Sequence, residues 1–226
     1  MTTSAVARTR YRAFSGAVVV ALAVVNVVDH AVHPPWWVRA LEGAGLLAAA
    51  RLAGLSWAQL GLARDRLGRG ARWALGVIGV VAGAYVVGVL VPLSRGAFQD
   101  EEYHVPLPDA LHLAFVAIPL GTVVLEEIAF RSVLWGALSR HCRPWQVLAT
   151  TSVLFGFWHL IPAVRGPGGA LAVVGVLALT TAGGLVFGEL RRRSDSVLAS
   201  AGAHWATNAL GVLFGLLAWR LSPDGP

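Results

Sequence analysis

Apolar residues run along this chain in long blocks, separated by short breaks that contain most of the arginines. The first block covers residues 13–32 and follows Arg8, Arg10 and Arg12, and a weaker one covers residues 36–52. Further blocks occupy residues 73–93, 108–138, 145–161, 169–190 and 197–219. Blocks near 20 residues suffice to cross the hydrocarbon core of a bilayer as helices. The pattern therefore predicts an all-α, polytopic transmembrane helical bundle of about seven spans, within a range of six to eight. No linker divides it, so residues 1–226 read as a single integral-membrane domain. The basic start of the first block imitates a signal peptide. Asn26, Asp29 and His30 within it, and the lack of a small-residue cleavage site before Pro34-Pro35, predict a retained span instead. Between the second and third blocks, residues 55–62 (LSWAQLGL) precede Arg64, Asp65, Arg66, Arg69 and Arg72, and read as an interfacial amphipathic segment.

Composition agrees. Of 226 residues, 56% are hydrophobic and 13% charged, with a mean hydropathy of +0.66. A soluble domain would be about a quarter charged, so a water-facing fold is excluded. Disorder, a collagenous repeat and a disulfide scaffold are excluded too, the last because Cys142 stands alone. The net charge of +6 raises the question of nucleic acid, but the 18 basic residues, all arginine, sit between apolar blocks rather than on one face. Counted by alternating side, thirteen arginines fall on one side, and only Arg39, Arg95, Arg165 and Arg220 on the other; Arg131 lies inside a block. The positive-inside rule then predicts a cytoplasmic N-terminus in a plasma membrane, seven spans and no nucleic-acid partner. Losing the weak second span would invert the N-terminal part. Small-xxx-small pairs at Gly79 and Gly83, Gly184 and Gly188, and Gly211 and Gly215 predict close helix packing.

A charge deep in hydrocarbon costs about 2.5–3.5 kcal/mol, so an ionisable residue far from a span end is a functional candidate. Glu126, Glu127 and Arg131 sit in the middle of the 108–138 block with apolar flanks on both sides, which argues against a solvated helix face. Adjacent helical residues point about 100° apart, so the two glutamates are not expected to face one site. Glu127 precedes Arg131 by four residues, the favourable order for an ion pair, which leaves Glu126 as the spare carboxylate. His159 follows Phe155-Gly-Phe-Trp and precedes a helix-ending Pro162, and His204 and Asn208 share a helical face. At about 1.5 Å per residue, Glu126, His159, His204 and Asn208 lie roughly 16–24 Å from their arginine-rich ends, within a slab under about 10 Å thick. Asn26, Asp29, His30 and His33 cluster toward the outer end of the first span, where interfacial hydration is the simpler reading.

Glu126-Glu127-x-x-x-Arg131, Phe155-x-x-x-His159 and His204-x-x-x-Asn208, in that order, resemble the three motifs of the CAAX-protease and bacteriocin-processing family, also called the Abi or type II CAAX prenyl endopeptidase family. The resemblance covers residues 109–216, together with the Trp-Ala-Gln-Leu-Gly-Leu segment. It implies an intramembrane endopeptidase acting on a membrane-associated or prenylated, CAAX-like protein or peptide. In a metal-free version Glu126 is the general base on a water that His159 orients, and His204 and Asn208 donate to the oxyanion. In a metal version Glu126, His159 and His204 hold Zn2+ and leave a fourth position for water. Glu127 and Arg131 are supporting residues in both. The competing reading is a non-catalytic membrane protein, a proton-coupled transporter or a bacteriocin-immunity-type peptide binder. A proton relay through Glu126 and His159 explains neither Asn208 nor Arg131.

Overall fold

Each apolar block forms a helix, because in lipid only a helix satisfies every backbone amide within its own segment. The structure, a computed structural model, describes residues 5–222. Its long helices are α1 (Ala5–Val32), α2 (Trp36–Leu52), α3 (Arg64–Leu90), α4 (Leu107–Leu138), α5 (Pro144–Trp158, resuming as Leu160–Arg165 after a break at His159), α6 (Gly169–Ser194) and α7 (Val197–Leu221). No strand occurs among the described residues. Six of the seven are long and apolar enough to cross a membrane; α2, with 17 residues including Arg39 and Glu42, is not among them.

α2 nevertheless connects the two ends of the bundle. A Cβ on Gly121 of α4 would meet Trp36 at 2.8 Å, and one on Gly136 would meet Leu55, just past α2, at 3.5 Å. Those two glycines are about 22 Å apart along α4. The chain therefore alternates as the arginine count requires. At one end Ser15 Oγ lies 3.0 Å from His141 Nε2, Arg66 pairs with Asp195 at 2.6 Å, and Val197 N–H donates to the Gly61 carbonyl at 3.0 Å. At the other, Arg165 donates to the His30 carbonyl, Arg95 to Ser222 Oγ and Trp219 to the Asp100 carbonyl.

The stretch 55–62 is a turn-rich connector rather than an amphipathic surface segment. Leu55 and Leu60 are fully buried and fold under α4, while Trp57 stays outside beneath the Arg51 guanidinium. α4 is the central helix, buried almost continuously over residues 125–138. Its outer half is wound loosely into π-helical turns at Leu113–Ala117 and Pro119–Val123. Ile118 N–H reaches back five residues to Leu113, so the next bond in that register would come from Pro119, which has no N–H to give. The carbonyl left over, that of Ala114, accepts the indole N–H of Trp205 on α7 at 2.9 Å. A proline on one span thus creates the acceptor that ties it to another.

Candidate active site

The inner half of α4 continues as a third π-helical stretch, Glu127–Leu134. It carries three charged residues that are sealed from outside: Glu126, Glu127 and Arg131 are 4%, 1% and 0% exposed. Arg131 Nη1 lies 3.4 Å from Glu127 Oε1, the pairing expected from the spacing of four. The guanidinium has no hydrogen bond among the described residues. Aromatic faces hold it instead, with its carbon 4.0 Å from the Phe155 ring centre and 5.2 Å from that of Phe187. Phe155, whose place in its motif carried no role in the sequence, is therefore the platform on which the buried cation rests. The rings of both His159 and His204 meet its edges, at 4.9 Å and 5.7 Å.

His204 corrects the expectation that neighbouring glutamates cannot serve one place. Its Nδ1 lies 3.0 Å from Glu127 Oε1, while its Nε2 lies 3.7 Å from Glu126 Oε2. The imidazole spans the angle between the two carboxylates and so engages both. Glu127, a carboxylate, accepts from Nδ1–H, so Nε2 is the ring nitrogen directed at Glu126.

Glu126 has a second neighbour that the sequence did not reveal. The indole N–H of Trp158 donates to Oε1 at 3.0 Å, and Oε2 is buried without a hydrogen-bond partner among the described residues. Trp158 is held in turn. Pro162 has no N–H for the Trp158 carbonyl four residues earlier, and that carbonyl accepts the Asn26 side chain of α1 at 3.0 Å. Asn26 is thus a buried structural donor, not a hydrated residue at the interface. Asp29, one turn on, is also buried and pairs with Arg39 at 2.9 Å.

His159 occupies the break itself, with φ −91° and ψ 5°, and its Nδ1 bonds the Phe155 carbonyl at 2.9 Å. Asn208 is half-buried one turn beyond His204, and its Oδ1 accepts from the Thr207 hydroxyl at 3.4 Å. Among the described residues neither His159 nor Asn208 hydrogen-bonds to the two glutamates or to His204. The structure therefore joins Glu126, Glu127, Arg131 and His204 directly, and sets His159 and Asn208 beside them.

Among the described residues no three His, Cys, Asp or Glu side chains converge as a metal-ligand set. Glu126 Oε1, His204 Nδ1 and His159 Nδ1 all have other partners. Only Glu126 Oε2 and His204 Nε2 face each other. The Nδ1 contacts of His204 and His159, to a carboxylate and a carbonyl, leave each ring its Nε2, the nitrogen that a metal would use.

Residues 108–210 match the family model described as Type II CAAX prenyl endopeptidase Rce1-like, which bears out the resemblance over the segment that carries all three motifs. No curated protein and no solved structure matches the chain.

Proposed function

Residues 108–210 being Rce1-like, which supports a CAAX-type intramembrane protease at the family level, we propose that the chain is an endopeptidase whose general base is Glu126, acting on a membrane-associated, CAAX-like prenylated protein or peptide. One observation carries the reading: a carboxylate oxygen, Glu126 Oε2, is buried in the middle of a membrane helix with no hydrogen-bond partner among the described residues, while its twin oxygen is fixed by Trp158. We place the arginine-rich end of the bundle in the cytoplasm, so the site lies nearer the leaflet in which lipidated C-termini lie.

In this reaction a water rests against Glu126 Oε2 and His204 Nε2, which at 3.7 Å apart allow one water to touch both at about 2.8 Å. Glu126 takes its proton as the oxygen attacks the scissile carbonyl carbon. That proton then goes to the amide nitrogen as the C–N bond breaks, giving a new carboxyl terminus and a free amine. Asn208 offers its amide N–H groups to the oxyanion. His204, held by Glu127 through Nδ1, keeps the water against Glu126. His159, whose Nδ1–H is committed to the Phe155 carbonyl, has its Nε2 left to position the water.

The test is cleavage of prenylated and unprenylated CAAX peptides by full-length protein reconstituted in lipid, comparing the parent with Glu126→Gln. The variant should lose about 100- to 10,000-fold in rate. Undiminished cleavage by Glu126→Gln would overturn the assignment of the base. Equal rates on the two peptides would remove the prenyl group from the substrate description.

A further inference from the structure

Arginines gather where α3 begins and α6 ends, at the arginine-rich end of the bundle. Arg66 and Arg69 from α3 stand by the end of α6 that carries Arg192 and Arg193, among three carboxylates, those of Asp65, Glu189 and Asp195, and Arg72 follows Arg69 on α3. Glu189 is taken by Arg192 and Arg193, at 2.6 Å each. Arg69 lies 3.7 Å from Asp195, which already pairs with Arg66, and also donates to the Arg193 carbonyl. Arg72 is exposed and has no hydrogen bond or ion pair among the described residues. Positive charge is in excess, and it sits at the level where the apolar part of α3 starts.

Trp73, 37% exposed, marks that level as an indole at a membrane interface. Two grooves open from it. One, of about 610 Å³, is an open furrow along a single face of α3, lined by Arg69, Arg72, Trp73, Gly76, Val77 and Val80. The other, of about 430 Å³, runs from Trp73 up α6 past Leu190, Val186 and Leu185. α3 packs chiefly on α7 and touches α6 near its end: Gly70 lies against Ser196, Gly202 of α7 against Ala74, and Arg69 donates to the Arg193 carbonyl. On the groove side Gly76 has open space, with nothing within 4 Å of where its Cβ would stand.

We propose that this place binds one molecule of an anionic diacyl phospholipid, with its phosphodiester against Arg69 and Arg72 and one acyl chain in each groove. The charge selects the occupant, because an unneutralised guanidinium beside a second arginine favours a phosphate that carries net charge over a zwitterionic headgroup. The geometry selects it as well. Two apolar grooves diverging from one basic patch match two chains leaving one headgroup, which a free anion or a single-chain detergent does not use.

The experiment is native mass spectrometry of the full chain in neutral detergent with an equimolar mixture of phosphatidylglycerol and phosphatidylcholine of the same chains. The parent should retain phosphatidylglycerol preferentially. Arg72→Gln, at an exposed position, should keep the parent's melting temperature and lower that preference about fivefold, the share of one guanidinium near the surface. Gly76→Leu, which fills a groove without altering charge, should reduce retention of both lipids. Gly175→Leu, at another open glycine on α6, should not. Equal retention of the two lipids by the parent, or an unchanged preference in Arg72→Gln, overturns the proposal. Displacement of phosphatidylglycerol by millimolar inorganic phosphate also overturns it, since the place would then be an anion site.

Discussion

Trp158 donates its indole N–H to Glu126 Oε1 at 3.0 Å, and in doing so decides which oxygen of that carboxylate remains free. A hydrogen bond to a charged group is worth about 1.5–3 kcal/mol. Trp158→Phe, which keeps a ring and removes the donor, should therefore lower kcat about 10- to 100-fold while KM changes little. The carboxylate would rotate between two accepting positions, only one of which faces His204. Steady-state kinetics on a CAAX peptide gives the answer, and a loss confined to KM would show that the indole contacts substrate instead.

Glu127 carries two contacts at once, Arg131 at 3.4 Å and His204 at 3.0 Å. Removing its charge in Glu127→Gln leaves a cation buried among Phe155 and Phe187 with no anion paired to it. The expected loss of stability is about 3–5 kcal/mol. Adding Arg131→Met to the same chain should recover much of it, because the remaining core is apolar. Thermal unfolding of the single and double variants measures the coupling; simple additivity would mean the pair does not act as a unit.

The helices were legible because lipid imposes its solvent requirement on every span. The block read as residues 108–138 is a helix over Leu107–Leu138, and the alternation of arginines matches the two ends of the bundle. The three motifs were legible as well, since charges in hydrocarbon have no cheap explanation. Trp158 escaped notice because an indole in an apolar run looks like one more hydrophobe, although its N–H needs an acceptor. Asn26 escaped because its partner is a carbonyl freed on another helix; Pro162 was the available clue. The joint use of Glu126 and Glu127 was hidden because an imidazole has two nitrogens to offer, a relation between helices that spacing along one helix does not reveal.

The glycines of these pairs divide by structure into two kinds, with Gly184, Gly188 and Gly215 packed against a neighbour and the other three open. A Cβ on Gly184 would lie 2.9 Å from the Ser152 Cα, a backbone atom of α5 that cannot step aside, whereas Gly79, Gly83 and Gly211 have nothing within 4 Å. Gly184→Ala should cost about 1–3 kcal/mol, and should lower activity because α5 carries Trp158 and His159. Gly79→Ala should leave the melting temperature unchanged or raised, since alanine is the better helix former. The paired measurement is thermal unfolding with activity, and equal behaviour of the two variants would refute the distinction.

At the arginine-rich end, His141 bridges α1 and the α4–α5 turn, with Nε2 3.0 Å from Ser15 Oγ and Nδ1 3.2 Å from Cys142 Sγ. Partial burial, and then the charge of Arg12, hold its pKa below the ordinary 6.5. The folded protein thus resists a proton that the unfolded chain accepts. The stability from this contact is fully present above about pH 6.5 and declines as the pH falls below it. The melting temperature of the parent should fall more than that of His141→Gln between about pH 7.5 and pH 5. Parallel curves would show that the ring does not titrate in this range.

The metal question turns on the same few atoms as the base. A zinc ion would need Glu126, His159 and His204 to give it three donors, and among the described residues no such set converges. Trp158 holds Glu126 Oε1, while the Nδ1 contacts of His159 and His204 to the Phe155 carbonyl and Glu127 leave both Nε2 atoms for a metal. If Glu126 alone activates the water, dialysis against a chelator should leave the rate on a CAAX peptide within about twofold of the starting value, since no Lewis acid then contributes to the barrier. Glu126→Gln should remain inactive with or without added zinc. Loss of activity on chelation, restored by one equivalent of zinc, would instead mean that Trp158 gives up Oε1 when the metal enters. In that event Trp158→Phe should bind zinc more tightly than the parent, a difference that equilibrium dialysis would detect.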